Sequence, residues 1–317
     1  MLELTSREKC NGSVDAGAVS TIGYNPSLQN YYSSLESKAG YWLLLGGTRH
    51  FGYYPAGTLW PFPISRALRA MEDHLFGSLN LAAGATVLDA GCGVGHVAIY
   101  MAGKGLRVVG IDVIDHHLIK AKRNIKVAGL EKQVSAQKMD YHYLNGIKDQ
   151  SMDGVYTMET LAHATDPERA LGQFYKVLKP GGSLVLYEYD HDKRSTAPDY
   201  LRAILRKIDT IGALPALEIF DEGVLPRMLE DVGFENVKVQ DLSLNIEPML
   251  HLFFLIAYLP FLIVRFFGLE KWFINTFSAV EIYRGRKAWR FIAVTCTKPG
   301  NAVEKRGLGM VEDKNTQ

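Results

Sequence analysis

The sequence has few of the features that mark several large protein classes. Only three of its 317 residues are cysteine, Cys10, Cys92 and Cys296, and their wide spacing matches no metal-ligand pattern. A disulfide framework is therefore not expected, and a reducing compartment fits better than an oxidising one. Lysine and arginine total 35 against 34 acidic residues, giving a net charge of +1, and no basic stripe with interleaved aromatic residues occurs. We therefore expect no nucleic-acid partner.

The two ends of the sequence carry little apolar content. Residues 1–23 are polar and contain several glycines, so we expect disorder and no secretory signal there. Residues 301–317 are also polar and are expected to form a disordered tail. The interval between them is long enough to bury a sizeable core, and no internal repeat is visible in it.

A glycine-rich segment at residues 86–97, TVLDAGCGVGHV, predicts a strand, a tight turn and the start of a helix. Such a turn lets the backbone approach a cofactor at a helix N-terminus. Gly91 and Gly93 have no side chains that would hold a ligand away, and Asp89 suits a ligand with an ammonium group. The next predicted strand ends in Asp112, about 20 residues on, where a ribose diol hydrogen-bonds to the protein. The segment therefore predicts a nucleoside-type cofactor.

The acid, the glycine turn and the second acid together resemble the S-adenosylmethionine (SAM) site of class I methyltransferases. The resemblance implies an α/β fold with a Rossmann-like seven-stranded sheet, and SAM as the cofactor. It also places Asp140, after the third strand, against the adenine amino group, although a capping role for that side chain is the alternative. Cys92 is interpreted as a small side chain near the cofactor. The candidate cofactor-binding residues are Asp89, Gly91, Cys92, Gly93, Asp112, Val113, Met139, Asp140, Tyr141 and Glu159.

A second informative segment is residues 156–190, YTMETLAHATDPERALGQFYKVLKPGGSLVLYEYD. It closely resembles the corresponding part of sterol 24-C-methyltransferases, and the resemblance extends over roughly residues 24–297. That family has a glutamate and a histidine where this chain has Glu159 and His163, and their ExxxH spacing predicts that both lie on one side of a helical turn. The resemblance implies catalytic roles for both. Alternatively, Glu159 caps a helix or holds the SAM amino group, and His163 is an ordinary core histidine.

The aromatic residues concentrate in an N-terminal arm, residues 24–80, ahead of the cofactor domain at 81–300. Within the arm, GTRHFGYY at residues 47–54 is similar to the stretch before the cofactor motif in methyltransferases of sterols and tocopherols. The resemblance implies that the arm closes over SAM and lines the acceptor pocket, with His50 as a candidate base. The alternative is that these aromatic side chains fill the core. The candidate substrate-binding residues are Tyr53, Tyr54 and Glu188.

An apolar insertion at about residues 245–288 interrupts the C-terminal part of the domain. Its segment 249–267, MLHLFFLIAYLPFLIVRFF, is at the length threshold of a membrane span. Because predicted strands of one sheet flank it, a crossing would separate the last strand from that sheet. We expect helices that cover an apolar acceptor pocket, or a patch that lies in a membrane surface. The protein is therefore expected in the cytoplasm, or peripherally on the cytosolic face of the endoplasmic reticulum or a lipid droplet.

These features predict a SAM-dependent methyltransferase that acts on carbon, oxygen or nitrogen of a lipophilic small molecule, such as a sterol, a terpenoid or another natural product. Glu159 would stabilise a carbocation, and His163, His50 or Tyr53 would take the proton. The alternative is a cyclase or isomerase of natural-product biosynthesis that binds SAM without methyl transfer. An NAD(P)-dependent oxidoreductase is disfavoured by the GxGxG spacing and by the lack of an evident YxxxK pair. The sequence predicts no metal site and leaves the oligomeric state open.

Overall fold

One mixed sheet of seven strands forms the centre of the molecule. The structure is a computed structural model, and it describes residues 23, 25–33, 45–192 and 196–300. The disorder predicted for residues 1–22 and 301–317 lies outside the described residues. The strands are β1 (Thr86–Ala90), β2 (Arg107–Asp112), β3 (Val134–Lys138), β4 (Met152–Met158), β5 (Leu178–His191), β6 (Glu235–Asp241) and β7 (Trp289–Thr297).

The strand order is β3-β2-β1-β4-β5-β7-β6. Strands β1 to β5 pair in parallel, and β7 runs antiparallel to both of its neighbours. Leu88 of β1 lies opposite Val109 on one side and Val155 on the other. Strands that are covered on both faces are mostly apolar, as β1 and β4 at the centre of the sheet are. The predicted Rossmann-like seven-stranded fold is confirmed.

Helices cover both faces of this sheet. The described helices are α1 (Pro26–Ser33), α2 (Ile64–Leu79), α3 (His96–Gly103), α4 (Asp115–Ala128), α5 (Pro167–Val177), α6 (Asp199–Ile211), α7 (Val224–Val232), α8 (Ser243–Phe267) and α9 (Ile274–Arg284), with short 3₁₀ turns at Leu161–His163 and Pro215–Glu218.

Local sequence explains where several helices begin. Asp166 precedes α5, and its carboxylate accepts a hydrogen bond from the Arg169 backbone N–H at 2.9 Å, with Pro167 in the first turn. In α2, apolar side chains at helical spacing are buried against the sheet, as predicted.

Two main apolar clusters form the core, one on each face of the sheet. Adjacent residues of a strand point to opposite faces, so Val87 belongs to one cluster and Leu88 to the other. The arm and helices α6, α8 and α9 add to the cluster of Val87. The face of the sheet that holds Val87 therefore carries the arm and three further helices.

The predicted insertion corresponds to α8 and α9, which connect β6 to β7. By length and composition α8 could cross a membrane, and 22% of its apolar window is buried inside the protein. Because β6 and β7 pair with each other along most of their length, the helix lies beside the sheet that it leaves and rejoins. This arrangement agrees with the predicted apolar helical insertion.

Candidate functional site

The turn between β1 and α3 has a backbone that requires glycine at two positions. Gly91 has φ +108°, and a Cβ there would lie 2.7 Å from the Thr160 side chain. Gly93 has φ +53°, and a Cβ there would meet nothing within 4 Å. The first glycine is thus needed for close packing. The second leaves open space directly above the turn.

The end of β2 holds this turn in place. The Asp112 Oδ2 atom accepts a hydrogen bond from the Gly93 backbone N–H at 2.9 Å, and Oδ1 accepts one from the Ile114 N–H at 2.8 Å. The His117 Nδ1 atom lies 3.4 Å from the same Oδ2. Asp112 therefore links the two strand ends and still faces the space above the turn.

Asp89, at the end of β1, is buried with one oxygen unsatisfied. Its Oδ2 atom makes no hydrogen bond to any residue that the structure describes. Burial raises the pKa of this carboxyl to about 7. The nearby Tyr156 side chain offsets part of this rise in pKa. A buried carboxylate oxygen without a hydrogen bond is unfavourable, so a cationic group beside Oδ2 would stabilise it. The ammonium group of SAM has that chemistry.

The residues after β3 form the third part of the site. Asp140 Oδ1 accepts hydrogen bonds from the His142 backbone N–H at 2.9 Å and from His142 Nδ1 at 2.5 Å, and Oδ2 accepts one from the Gly23 N–H at 2.9 Å. Burial alone would raise the pKa of Asp140, but these hydrogen bonds outweigh it and lower the pKa. The capping alternative is thus present, and the adenine contact stays a prediction.

A cavity of about 120 Å³ lies above the glycine turn, and all ten candidate cofactor-binding residues line it. We call it the glycine-turn cavity. Leu28, Gln29 and Tyr32 of helix α1 also line it. The sequence did not predict these three residues as part of the site, because this part of the arm contains no cofactor motif. Cys92 lines this cavity, and burial raises the pKa of its thiol well above the ordinary value. It is therefore a neutral small side chain, as interpreted above.

A second, larger cavity of about 400 Å³ lies under α6, α8 and α9, and we call it the apolar cavity. Its walls are mostly aliphatic and aromatic. They include Leu205, Ile208, Leu250, Phe253, Ile282 and Trp289. A concave apolar space with a few polar groups is the usual form of a site for a lipophilic small molecule. Among the described residues, no group of three or more His, Cys, Asp or Glu side chains is placed to hold a metal ion.

Five residues line both cavities and form what we call the shared wall. They are Tyr32, Arg49, His50, Glu159 and His163. All three candidate catalytic residues are therefore brought together at the boundary between the two spaces.

Glu159 is held at this wall by three hydrogen bonds. Its backbone N–H donates to the Tyr187 carbonyl oxygen at 2.8 Å, its Oε1 accepts from the Phe51 N–H at 2.8 Å, and its Oε2 accepts from the Tyr189 hydroxyl. Burial raises the pKa of this carboxyl. Its φ is +58°, so the predicted helical turn containing both Glu159 and His163 is wrong. Such a left-handed residue is unfavourable and is a feature of many functional sites.

His163 is neutral, and both of its ring nitrogens are engaged. Nδ1 donates to the Ala213 carbonyl oxygen at 2.7 Å, which assigns the ring proton to that nitrogen because a carbonyl only accepts. Nε2 then accepts from the Tyr32 hydroxyl at 2.9 Å. Burial lowers the pKa of the imidazole to about 4. To act as a base, His163 would first have to lose the hydrogen bond from Tyr32.

His50 is buried between the arm and α2. Nδ1 donates to the Phe51 carbonyl oxygen at 2.8 Å, and Nε2 lies 3.6 Å from Glu72 Oε1. Glu72 also pairs with Arg69, whose Nη1 atom lies 2.7 Å from Oε2. His50 Nε2 makes no hydrogen bond to a described residue, so His50 and Glu72 of α2 lie close together without one.

The structure corrects the three substrate-binding predictions. Tyr53 stacks on His74 with ring centroids 5.0 Å apart, and the Tyr54 hydroxyl donates to the Pro61 carbonyl oxygen at 2.9 Å. Both rings therefore pack around α2 and line neither cavity, as the core alternative predicted.

Glu188 is fully buried and also lines neither cavity. It accepts hydrogen bonds from the Thr157 hydroxyl and from the backbone N–H groups of residues 160, 161 and 162, at 2.7–3.1 Å. It holds the 3₁₀ turn that carries His163. Because side chains alternate along a strand, the next residue of β5, Tyr189, faces the apolar cavity instead.

Comparison with known proteins agrees with this geometry. A family model described as a methyltransferase domain matches residues 88–186. The S-adenosyl-L-methionine-dependent Diels-Alderase iccD of Talaromyces variabilis is 42% identical over 277 residues, which are 86% of this chain and 95% of that protein. The chain belongs to the class I SAM-dependent methyltransferase family. The predicted cofactor, SAM, is thereby confirmed.

Two further relatives and one solved structure are similar to this chain. The S-adenosyl-L-methionine-dependent Diels-Alderase iliD of Neonectria sp. (strain DH2) is 42% identical over 226 residues, 70% of this chain and 88% of that protein. A sterol 24-C-methyltransferase of Eremothecium gossypii is 31% identical over 245 residues, 75% of this chain and 63% of that protein, which confirms the predicted resemblance. The crystal structure of the [4+2]-cyclase SpnF has the same fold, with a TM-score of 0.69, 22% identity, and coverage of 89% of this chain and 99% of that one.

Proposed function

We propose that this chain is a SAM-binding cyclase of natural-product biosynthesis that catalyses an intramolecular [4+2] cycloaddition without methyl transfer. The observation that carries the proposal is the 42% identity to a SAM-dependent Diels-Alderase over 95% of that protein's length. The substrate would be a linear lipophilic molecule with a conjugated diene and a separate alkene. In the reaction two carbon–carbon σ bonds replace two π bonds, the remaining π bond shifts, and no proton or leaving group is released.

The apolar cavity supports this proposal by its size and walls. A cycloaddition needs a flexible chain to be held folded, so that the reacting carbons approach within reaction distance. The cavity of about 400 Å³ presents rigid apolar surfaces such as Phe253 and Trp289 against which a chain can fold. Water is displaced from these surfaces when an apolar chain binds.

The shared wall supports a reaction that needs no base. His163 is neutral, donates to Ala213 and accepts from Tyr32. Glu159 is hydrogen-bonded by Phe51 and Tyr189. When bound, SAM supplies a positively charged sulfonium and a methyl group. At this boundary the protein holds the Glu159 carboxyl group and the hydroxyls of Tyr32 and Tyr189 away from bulk water. In such a low-dielectric environment these groups polarise a reacting π system strongly.

Methyl transfer to a lipophilic acceptor is the second candidate. The methyltransferase-domain match and the identity to a sterol 24-C-methyltransferase favour it. In that reaction Glu159 would stabilise a carbocation at the shared wall. His163 would take the final proton after the Tyr32 hydroxyl moved away from Nε2.

One assay separates the two candidates. The protein would be incubated with methyl-labelled SAM and a synthetic linear polyene that carries a conjugated diene and a distant alkene, and the products analysed by liquid chromatography and mass spectrometry. The cyclase proposal predicts a product of unchanged mass, with no label and with SAM required. Labelled product formed in step with S-adenosylhomocysteine would overturn it in favour of methyl transfer.

We further propose that the protein acts at the surface of an intracellular membrane. The support is the outer side of α8, where Leu259, Ile263 and Phe266 are exposed to 71%, 59% and 83%. On its other side, Leu250 and Ala257 of the same helix line the apolar cavity. A helix with this arrangement could lie in the lipid headgroup region while a lipophilic substrate passes to the cavity.

A further inference from the structure

The apolar cavity contains a polar patch away from the shared wall. His191, at the end of β5, and Asp209, on α6, both line it there. Asp209 is only 6% exposed. Its Oδ2 atom lies 3.4 Å from His191 Nε2, yet it makes no hydrogen bond to any residue in the described part of the chain. The two side chains are therefore close together without satisfying each other.

Neighbouring polar groups do not occupy that oxygen. Asp190 also lines the cavity, but Arg290 holds both of its oxygens, at 2.9 and 2.5 Å. Asp221 lies outside the cavity, with its Oδ1 3.5 Å from His191 Nδ1, and this ring nitrogen also makes no hydrogen bond among the described residues. Asp209 Oδ2 is thus a buried acceptor without a partner in the wall of the cavity, whereas His191 Nδ1 is directed at Asp221, outside it.

Burial of such an oxygen is unfavourable for the folded protein alone. A buried polar group that loses water without gaining a partner destabilises the fold, and buried polar atoms without partners are rare enough to require an explanation. The rest of this cavity is mostly apolar, so an apolar residue in place of Asp209 would pack against similar neighbours. A ligand that donates a hydrogen bond to Oδ2 supplies the missing partner.

We infer that Asp209, together with His191, forms a recognition site for a hydrogen-bond donor group of the lipophilic substrate, such as a hydroxyl or an amide N–H. The inference rests on the proposed function only in assuming that the apolar cavity holds the substrate. The Tyr189 hydroxyl donates to Glu159 of the shared wall. His191, the neighbour of Asp209, lies two residues farther along β5, so the two side chains share a face and are separated by roughly 7 Å. The substrate class is therefore an apolar chain whose reactive part lies at the shared wall and whose polar head lies at Asp209.

The test compares two probes that differ in one donor group. Binding of 4-hexylphenol and of its methyl ether, 4-hexylanisole, to the SAM-saturated protein is measured by titration calorimetry. We expect the phenol to bind at least about tenfold more tightly, the factor for the weaker hydrogen bonds to charged groups. In Asp209→Leu this preference is expected to disappear, while the affinity for the ether stays unchanged or increases.

Asp221→Asn is the matched control, because it changes the other acidic neighbour of His191 outside the cavity. It is expected to keep the preference for the phenol. Asp209→Asn keeps the size of the side chain and one acceptor oxygen, and it replaces Asp209→Leu if that variant does not fold. It is expected to weaken binding of the phenol and to leave binding of the methyl ether unchanged.

Failure of the phenol to bind, or a preference that survives both Asp209 substitutions, would overturn the inference. Neither outcome depends on turnover. A failed binding test would leave the cyclase proposal standing, and a failed cyclisation assay would leave the binding preference measurable.

Discussion

The glycine-turn cavity and the apolar cavity share five wall residues but are built in different ways. The first is formed largely by backbone and strand-end carboxylates, as in Gly93, Asp89 and Asp112. The second is formed by side chains from α6, α8, α9 and the ends of β5 and β7. The first depends on local backbone geometry, and the second on how distant helices pack.

This difference separates a cavity that suits SAM from a second cavity that would select the substrate. Backbone groups and a few acids form much of the wall of the first cavity, and few of them can be exchanged without changing the backbone. Aliphatic side chains, by contrast, can be exchanged for others of similar volume at small cost to stability. The resemblance of this chain to both Diels-Alderases and sterol methyltransferases fits this division.

The largest expected effect is on the glycine-turn cavity. Gly93→Val would place a side chain in the open space above the turn and force a branched residue into a left-handed conformation. From overpacking and backbone strain together, SAM affinity is expected to fall by more than about 100-fold in calorimetry. Gly129→Val is the control, because Gly129 has a φ of +67°, a Cβ there would also meet nothing within 4 Å, and it lies outside both cavities. Equal losses of SAM affinity in both variants would contradict the assigned site.

A second substitution tests whether the shared wall belongs to the chemistry or to cofactor binding. Glu159→Gln removes the charge and is expected to lower turnover by about 100-fold, the effect of losing one electrostatic contact in a buried active site. SAM affinity is expected to stay near that of the parent protein. The control is Tyr189→Phe, which removes the hydroxyl that donates to Oε2 while keeping the carboxyl group. A fall in SAM affinity for Glu159→Gln would instead identify Glu159 as a clamp on the SAM amino group.

The outer side of α8 is tested by liposome flotation. Leu259→Glu would place a charge on the exposed apolar side of the helix and is expected to reduce liposome binding by about tenfold, from the loss of one buried apolar side chain. Val127→Glu is the matched control, because Val127 has a similar exposure of 81% and lies on a different helix, α4. Equal flotation of both variants would exclude α8 as the membrane contact.

The smallest expected effect is a pH dependence of SAM affinity. The pKa of Asp89 is about 7 because of burial, and an ammonium group beside it favours the ionised form. Binding therefore releases a proton below pH 7, and affinity rises with pH by about fivefold between pH 6 and 7 and then levels off. Calorimetry in buffers of different ionisation enthalpy measures how many protons are released when SAM binds. A dependence that persists in Asp89→Asn would assign it to another group.

The sequence was sufficient to predict the sheet and the first cavity. All ten candidate cofactor-binding residues line one space because glycine turns and strand-end acids are local features. The side chains at the carboxyl end of β5 could not be assigned to the cavity or to the core in the same way. Whether Glu188 or Tyr189 faces the cavity depends on register with β4 and β7, and an error of one residue exchanges the two faces of a strand.

The remaining features needed tertiary information. Asp209 gives no sequence signal, because an acid on an amphipathic helix is ordinarily solvated. Tyr32 meets His163 across 131 positions of the chain. The left-handed backbone of Glu159, which made the helical-turn prediction wrong, follows from its hydrogen bonds to Tyr187, Phe51 and Tyr189.

The five side chains of the shared wall have a further consequence for how the two ligands affect each other. Any adjustment that one ligand makes to Glu159 or Tyr32 alters the surface met by the other. By thermodynamic reciprocity, each then changes the other's affinity by the same factor. If the cofactor is not consumed, it need not leave after each cycle. The protein would then follow the kinetics of a one-substrate enzyme whose active form is the SAM-bound protein. Dilution of SAM would lower the fraction of active molecules and leave the turnover rate of each active molecule unchanged.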